Sequence, residues 1–368
     1  MMMVQVQLKL RLNKTQKFEL DRWLWHLTGV YNWVIRKIEL DAKDGVYWHK
    51  YHFINLLAGH SKRLGISSEV LEETAVTAYL SWKRCFRNLS RKPRMKGNNN
   101  KLNSIPFRRG VRLLDKNYAN ICIFGKVKFY KQDIFNGKIK CGRLIKRPSG
   151  WYLCLVIDAN PNEIPRTGNG KIGIDPGFKH LLTLSTGEKI NHPREFEASA
   201  NRLAQAQKGK NKRLVSRLQE KIKNQRKDRN HKLSRRLVSE NEFIAWSKDR
   251  HRNIAKIFGK SVQSSAHGQL RQFISYKSQF CGRKFVEVDP KYSTRICSSC
   301  GGKTGPAGWA NLSVREWECA CGASHDRDIN AARNTLIFGL GISHERYCKI
   351  APETLDTEGS TPMAWIKN

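Results

Sequence analysis

Cys297-Ser-Ser-Cys300, followed after 18 residues by Cys319-Ala-Cys321-Gly322, constrains this chain more tightly than any other stretch. Two close cysteine pairs at that separation match a ribbon of two knuckles holding one tetrahedral zinc through four thiolates. Four unrelated thiols are the bland alternative, and the second pair is Cys-x-Cys where Cys-x-x-Cys is commoner. With all four positions taken by sulfur, such a zinc is structural. The other six cysteines (Cys85, Cys122, Cys141, Cys154, Cys281 and Cys348) show no disulfide-framework spacing. They read as reduced thiols, which points to a cytosolic chain.

The residues just before the ribbon pose a problem. In "KFVEVDPKYSTRICSSC", residues 284–300, Phe285, Val286 and Val288 read as a buried strand with Glu287 inside it. Period-two alternation puts Phe285, Glu287 and Asp289 on one face and Val286 and Val288 on the other. A buried carboxylate needs a partner or a metal. Two further acids stand out. Asp175 follows the strand-like "KIGI" and opens "DPG", where an Asp-Pro-Gly turn would account for it. Asp328 lies in "HDRDINAARN" at the start of a helix, where an N-cap would account for it. Three acids in a strongly basic chain also suit phosphodiester hydrolysis, in which converging carboxylates clamp two Mg²⁺ ions.

Charge narrows the partner. The 368 residues carry 68 Lys+Arg against 31 Asp+Glu, a net charge of +37. Like charge at that density calls for a polyanion, and nucleic acid is the expectation over a membrane surface. No stretch reaches the roughly 18 apolar residues of a membrane span, and "MMMVQVQLKLRL" alternates like a strand and lacks a leader's apolar core.

Residues 1–12 read as a first strand. Leu20, Trp23, Leu27, Tyr31, Val34 and Ile38 then recur at helical spacing, and more helix is expected over 68–90. Seven Lys/Arg lie between Lys83 and Lys96, interleaved with Trp82 and Phe86. Of these Lys83, Arg84, Arg87, Arg91, Lys92 and Arg94 are candidate phosphate contacts. Short β-rich runs fill 104–159 and suggest a small barrel or sandwich. "PNEIPRTGNG", residues 160–170, is a linker by composition. Residues 201–236 hold 14 Lys/Arg and two acids, with a thin stripe of Leu214, Leu218 and Ile222, so a helical hairpin with a basic face is expected. Its candidate contacts are Lys210, Lys212, Arg213, Arg217, Arg226, Lys227, His231, Lys232 and Arg235. Residues 351–368 read as a loosely held tail.

"GIDPG", the basic stretch leading into "HKLSRRL", "YKSQFCGRKFVEVDPKYSTRICSSCG" and "CACGASHDRDINAARN" resemble the TnpB family, transposon-encoded RNA-guided DNA endonucleases related to Fanzor proteins and type V CRISPR effectors. The resemblance is most specific from Lys171 to Asn334. It implies an α/β plus α and β fold: an RNase H-like RuvC nuclease domain with an inserted four-cysteine zinc ribbon, preceded by a β-barrel-like wedge domain carrying an inserted helical recognition lobe. The implied boundaries are a first wedge strand at 1–12, the recognition lobe at 13–97, the wedge at 98–160 and the nuclease domain at 161–294. The ribbon then occupies 295–323, the third-motif helix 324–350 and the tail 351–368. The implied cofactors are two catalytic Mg²⁺, one structural Zn²⁺ and a guide RNA. The implied partners are that RNA and double-stranded target DNA, with one monomer per RNA in a bacterial cytoplasm.

The resemblance assigns Asp175 and Asp328 as the first and third RuvC acids. The second departs from the pattern, since its expected place on "NEFIAWSKD" falls near Ser247, with Glu242 and Asp249 as lesser candidates. Either the chain is a nuclease-dead guided binder acting as a repressor, or the glutamate has moved to the next strand, where Glu287 lies 40 residues on. The moved glutamate, giving Asp175, Glu287 and Asp328 as the catalytic set, is the expectation taken to the structure. Strand joining without RNA, by a transposase in its own right, is the remaining alternative.

Overall fold

The computed structural model describes residues 2–97, 101–108, 110–131, 137–159, 165–192, 197–248, 265–306, 311 and 313–350. Asp249, the tail 351–368 and part of the 160–170 linker lie outside the described residues. The chain divides into two compact units, residues 1–160 and 161–368.

In the first unit, β1 (Met2–Arg11) is followed by four helices: α1 (Lys14–Lys43), α2 (Lys50–Leu56), α3 (His60–Leu64) and α4 (Ser68–Phe86). Six strands follow them: β2 (Ser104–Phe107), β3 (Val111–Leu114), β4 (Tyr118–Ile121), β5 (Gly125–Phe129), β6 (Gly137–Arg147) and β7 (Gly150–Ala159). The helices are thus an insertion between the first and second strands. All ladders are antiparallel and the order is β2-β6-β7-β1-β5-β4-β3. A small barrel or sandwich is the expectation from the short strands; among the described residues no ladder joins β2 to β3, while Ile105 and Phe107 of β2 share one core with Ala119 and Ile121 of β4. The predicted stripe on α1 is buried at every position, from Leu20 to Ile38. Asn13 and Gln16 cap that helix reciprocally, each side chain accepting from the other's backbone N–H. The basic run after α4 is solvent-facing, and Lys92 pairs with Glu39 at 2.7 Å.

The second unit is built on a five-stranded mixed sheet, ordered β10-β9-β8-β11-β12. Its strands are β8 (Gly170–Pro176), β9 (His180–Leu184), β10 (Lys189–Asn191), β11 (Asn241–Ser247) and β12 (Lys284–Val288). The first three form an antiparallel meander, while β8, β11 and β12 run parallel. Parallel pairing requires long crossovers. Two helices, α5 (Glu197–Lys208) and α6 (Lys212–Glu240), intervene before β11, and α7 (His267–Phe280) before β12. After the short β13 (Glu316–Glu318) and β14 (Ser324–Asp326) come α8 (Arg327–Leu340) and α9 (His344–Ile350).

The expected basic hairpin is α5 and α6, with the turn at Asn211, whose side chain accepts from the Leu214 N–H. Leu203, Ala206 and Leu218 close its small core, leaving most of its Lys and Arg residues in solvent. Helix α8 packs on the sheet face presenting Phe243, Ala245 and Val288. Small residues set that approach: a side chain at Gly173 would run into the backbone of Ala332 and Leu336, and one at Gly339 would meet Ala245. Helices α6 and α7 pack against each other, α6 touching β11 and α7 touching β12.

Candidate active site and metal centre

Register decides which acids can meet. The pairs Ile174–Trp246 and Trp246–Glu287 put these three residues in one row across the sheet. The next row, one step along, is Asp175, Ser247 and Val288. Side chains alternate faces along a strand, and Val288 packs against α8, so Asp175 and Ser247 share the α8 face. Ile174, Trp246 and Glu287 face the other way.

Glu287 is therefore not brought to Asp175 and Asp328. It is also not buried: its side chain is 32% exposed, and Arg271 of α7 donates through Nη1 to both carboxylate oxygens at 2.9 Å. Lys248 adds a second cation at 3.9 Å. Arg271 supplies the reason that a strand acid needs. The moved-glutamate expectation fails on parity, because a carboxylate one residue out of register lies behind the sheet. Glu242 sits at the far end of β11 and pairs with Lys171.

Asp175 and Asp328 each lose their bland explanation. Asp175 is a ladder residue paired with Thr183, and the turn comes later, where the Gly177 N–H donates to the Leu181 carbonyl. Asp328 is not the N-cap of α8. Asp326 does that, accepting from the N–H groups of Asp328 and Ile329 at 3.0 Å. Burial works to raise the Asp326 carboxyl, but the 2.5 Å bond from Lys189 and the helix N–H groups outweigh it and hold it below the usual range. Asp328 is left in the first helical turn with Arg315 at 3.6 Å.

Ser247 lies where the resemblance leads one to expect an acid. It is fully buried, and its Oγ has no hydrogen-bond partner among the described residues. Asp175 and Ser247 share a row of the sheet and Asp328 lies on the helix covering that face; such a set would suit one Mg²⁺, which binds through one or two carboxylates and keeps its remaining positions for water or phosphate. A two-ion clamp would call for further carboxylates, and Asp249, a candidate near Ser247, lies outside the described residues. Among the described residues, only Cys297, Cys300, Cys319 and Cys321 form a group of three or more ligand atoms within 4.8 Å of one another.

That cysteine group has the size of a zinc site. Cys297 and Cys321 Sγ are 3.8 Å apart, and Cys300 and Cys319 Sγ 3.6 Å. A tetrahedron with Zn–S bonds of about 2.3 Å has edges of about 3.8 Å. Donors already point at the sulfurs, as thiolate ligands require. The Gly302 N–H reaches Cys300 at 3.3 Å, the Thr304 hydroxyl lies 3.1 Å from Cys319, and His325 Nε2 lies 3.0 Å from Cys297. Sequence reasoning missed His325 and Thr304, although His325 follows Cys321 by only four residues.

The ribbon is locked to α8. Asn330 and Asn334, one turn apart and buried, both donate through Nδ2 to the Ile296 carbonyl, at 2.8 and 2.6 Å. Asn330 Oδ1 accepts from the Ser298 N–H inside the first knuckle. The helix carrying Asp328 is thereby fixed to the cysteine cluster.

Of the predicted nucleic-acid contacts, Arg84, Arg87, Arg91, Arg94, Lys210, Lys212, Arg213, Arg217 and Arg235 are exposed, and Lys83 is partly so. Lys232 is exposed and pairs with Asp228, while Arg226 and Lys227 are half-buried. His231 is different. Its ring stacks on Phe273 at 4.0 Å, and burial with Lys277 and Lys227 nearby holds it down to about 4. It is a neutral packing residue between α6 and α7.

A family model described as "Probable transposase" matches residues 155–248, and one described as "Cas12f1-like, TNB domain" matches 267–335. A "Putative RNA-guided DNA endonuclease" of Streptomyces pristinaespiralis is 37% identical over 212 residues, covering 54% of this chain and 52% of that one. The "Putative RNA-guided DNA endonuclease InsQ" of Escherichia coli (strain K12) is 22% identical, covering 75% of each. The match to the Streptomyces protein thus spans about half its length. A Cas12f1 solved with its sgRNA and target DNA shares the fold, with a TM-score of 0.54 at 14% identity over 88% of this chain and 83% of that one. Residues 155–335 are thus similar to the probable-transposase and Cas12f1-like TNB models and to proteins named RNA-guided DNA endonucleases, over the stretch that carries the motifs read from the sequence.

Proposed function

We propose that the protein is a guide-RNA-dependent DNA endonuclease of a transposon, cutting with Asp175 and Asp328 on the α8 face of the sheet. The observation that carries this reading is the placing of Asp175 on the sheet face covered by α8, the helix whose first turn holds Asp328, in a chain whose relatives are named endonucleases. Asp175 is held by the β8 ladder and Asp328 by α8, so the two are set by backbone elements and not by loops. A divalent cation bound by them would polarise the scissile phosphate and supply hydroxide at neutral pH. Arg315 offsets part of the charge of Asp328 while that cation is absent. Ser247 offers a neutral hydroxyl where a further acid is expected, enough to orient a bound water.

One zinc in the cysteine cluster would fold the ribbon and, through Asn330 and Asn334, hold Asp328 at its station. The seven-stranded sheet of the first unit would correspond to the wedge, and its inserted helices to the recognition lobe. The net charge of +37 is comparable to the roughly 40 phosphates of a 20-base-pair heteroduplex. Base pairing would supply most specificity, and the exposed cations of α5, α6 and the run after α4 would grip the backbone.

A second reading has its own support: Ser247 is not an acid and Glu287 points away, as in a guided binder that blocks transcription without cutting. The test is to purify the protein with its co-expressed RNA and offer a matched plasmid with randomised flanking sequence, in Mg²⁺ and in EDTA. Magnesium-dependent cutting supports the nuclease. Retention of the plasmid without cutting supports the binder, and loss of both sinks the guided reading.

A further inference from the structure

Helix α1 has a second face that its buried stripe does not use. Trp25, Gly29 and Trp33 follow one another at intervals of four, so they stand in line along the helix. Trp25 is 64% exposed and Trp33 39%, large apolar rings left facing solvent. Between them nothing lies within 4 Å of where a Gly29 side chain would be. The two rings and this gap open into a cavity of about 570 Å³, a size typical of small-ligand sites.

Its far wall carries His60, Arg63, Lys96 and Lys101, and no acidic residue lines it. Among the described residues, none of Arg63, Lys96 and Lys101 makes an ion pair, though the Lys96 ammonium lies over the Tyr31 ring at 5.7 Å. The wall is set in advance: the Asn32 side chain donates to the Lys96 carbonyl and accepts from the Lys96 N–H, both at 2.7 Å. Thr28 Oγ1 accepts from the Leu102 N–H at 3.3 Å. Trp33 is braced by the Phe53 edge at 6.5 Å.

Exposed rings, beside cations that make no ion pair in a pre-formed cleft, are what an unpaired nucleotide requires: stacking for the base and positive charge for its phosphate. We propose that this cavity binds an unstacked base of single-stranded RNA between Trp25 and Trp33, with Arg63, Lys96 and Lys101 on the adjoining phosphates. The choice of RNA rests on the guided reading above, in which RNA is the strand carried at all times and a cleft shaped before binding suits a resident ligand.

The experiment compares a fluorescently labelled six-nucleotide RNA with an abasic strand of equal length and a DNA of equal sequence, on the full-length protein. Stacking worth about 1–3 kcal/mol per base corresponds to a preference of about 5- to 150-fold for the base-bearing RNA over the abasic strand. Trp25→Ala, at an exposed site, and Gly29→Leu, which fills the gap with a good helix former, are each expected to abolish that preference while leaving abasic binding unchanged. Equal binding of the base-bearing and abasic strands by the wild type, no measurable binding of either, or an unchanged preference in both variants overturns the inference. DNA bound as tightly as RNA overturns the assignment to RNA. The co-purified RNA separates the two claims: its absence from the wild type is a failure of the guided reading, whereas its retention alongside indifference to bases is a failure of this pocket alone.

Discussion

Gly173 is the point at which one added carbon should separate the two acids. Built onto this residue, a Cβ falls against the Ala332 carbonyl oxygen, 2.7 Å from the Leu336 N and 2.8 Å from the Leu336 Cβ, whereas ordinary contact begins at 3.4 Å. Two of the three obstacles are helix backbone, which cannot turn aside, so α8 must retreat from β8 by at least ~0.7 Å, the gap between those figures. Overpacking of this kind costs roughly 1–3 kcal/mol. For a unit of this size that is a Tm lower by about 2–12 °C. Asp175 lies two residues along β8 and Asp328 rides on α8, so the same retreat parts them. Misplacement of reacting groups by about 1 Å costs on the order of 100-fold. Gly173→Ala should therefore slow cleavage of a matched target at least tenfold while guide and target binding persist. Gly268→Ala, where nothing lies within 4 Å, serves as the control. Cleavage and melting of Gly173→Ala at wild-type values would refute the packing argument.

Four further outcomes are expected. Zinc quantitation should find one ion per chain and none in Cys297→Ser, whose protease sensitivity should rise across the ribbon and α8; a metal-free wild type that resists protease equally would rule the site out. Ser247→Glu, restoring a carboxylate beside Asp175, should raise the cleavage rate, and an unchanged or lower rate counts against the hydroxyl occupying a ligand position. Glu287→Gln should leave cleavage within about twofold and cost under about 1 kcal/mol, since its pair with Arg271 is partly exposed. Because His231 is held neutral down to about 4 against 6.5 in the unfolded chain, the unfolded state binds more protons in between, and stability should fall as pH drops through that window. His231→Phe should flatten that fall, and identical pH slopes for the two proteins would show that the ring is not buried as described.

Periodicity carried the helices well, because α1 buries one continuous stripe and the α5–α6 hairpin keeps its Leu residues on one side. The cysteine spacing likewise specified its cluster, since a tetrahedral site tolerates few arrangements. Glu287 was misread for a definite reason. Alternation within one strand separates its two faces but does not say which face meets which neighbouring acid. That depends on register across β8, β11 and β12, set by crossovers with no local signature. The partner of Glu287, Arg271, lies on a helix 16 residues earlier, where one more arginine in a basic chain attracts no notice. Asp326 was hidden by its neighbour, because "HDRD" offers two candidate caps and only the structure separates them. The Trp25–Gly29–Trp33 line was legible as spacing, but the fuller stripe on the same helix masked it.

The most direct test of the α8-face site is cleavage of a matched plasmid by the RNA-loaded protein, comparing wild type, Asp175→Asn, Asp328→Asn and Glu287→Gln at equal target occupancy. Loss of cutting in both aspartate variants, with Glu287→Gln near wild type, is the expected result. Cutting that survives Asp175→Asn and Asp328→Asn, or that disappears with Glu287→Gln, would put the chemistry elsewhere and contradict the assignment.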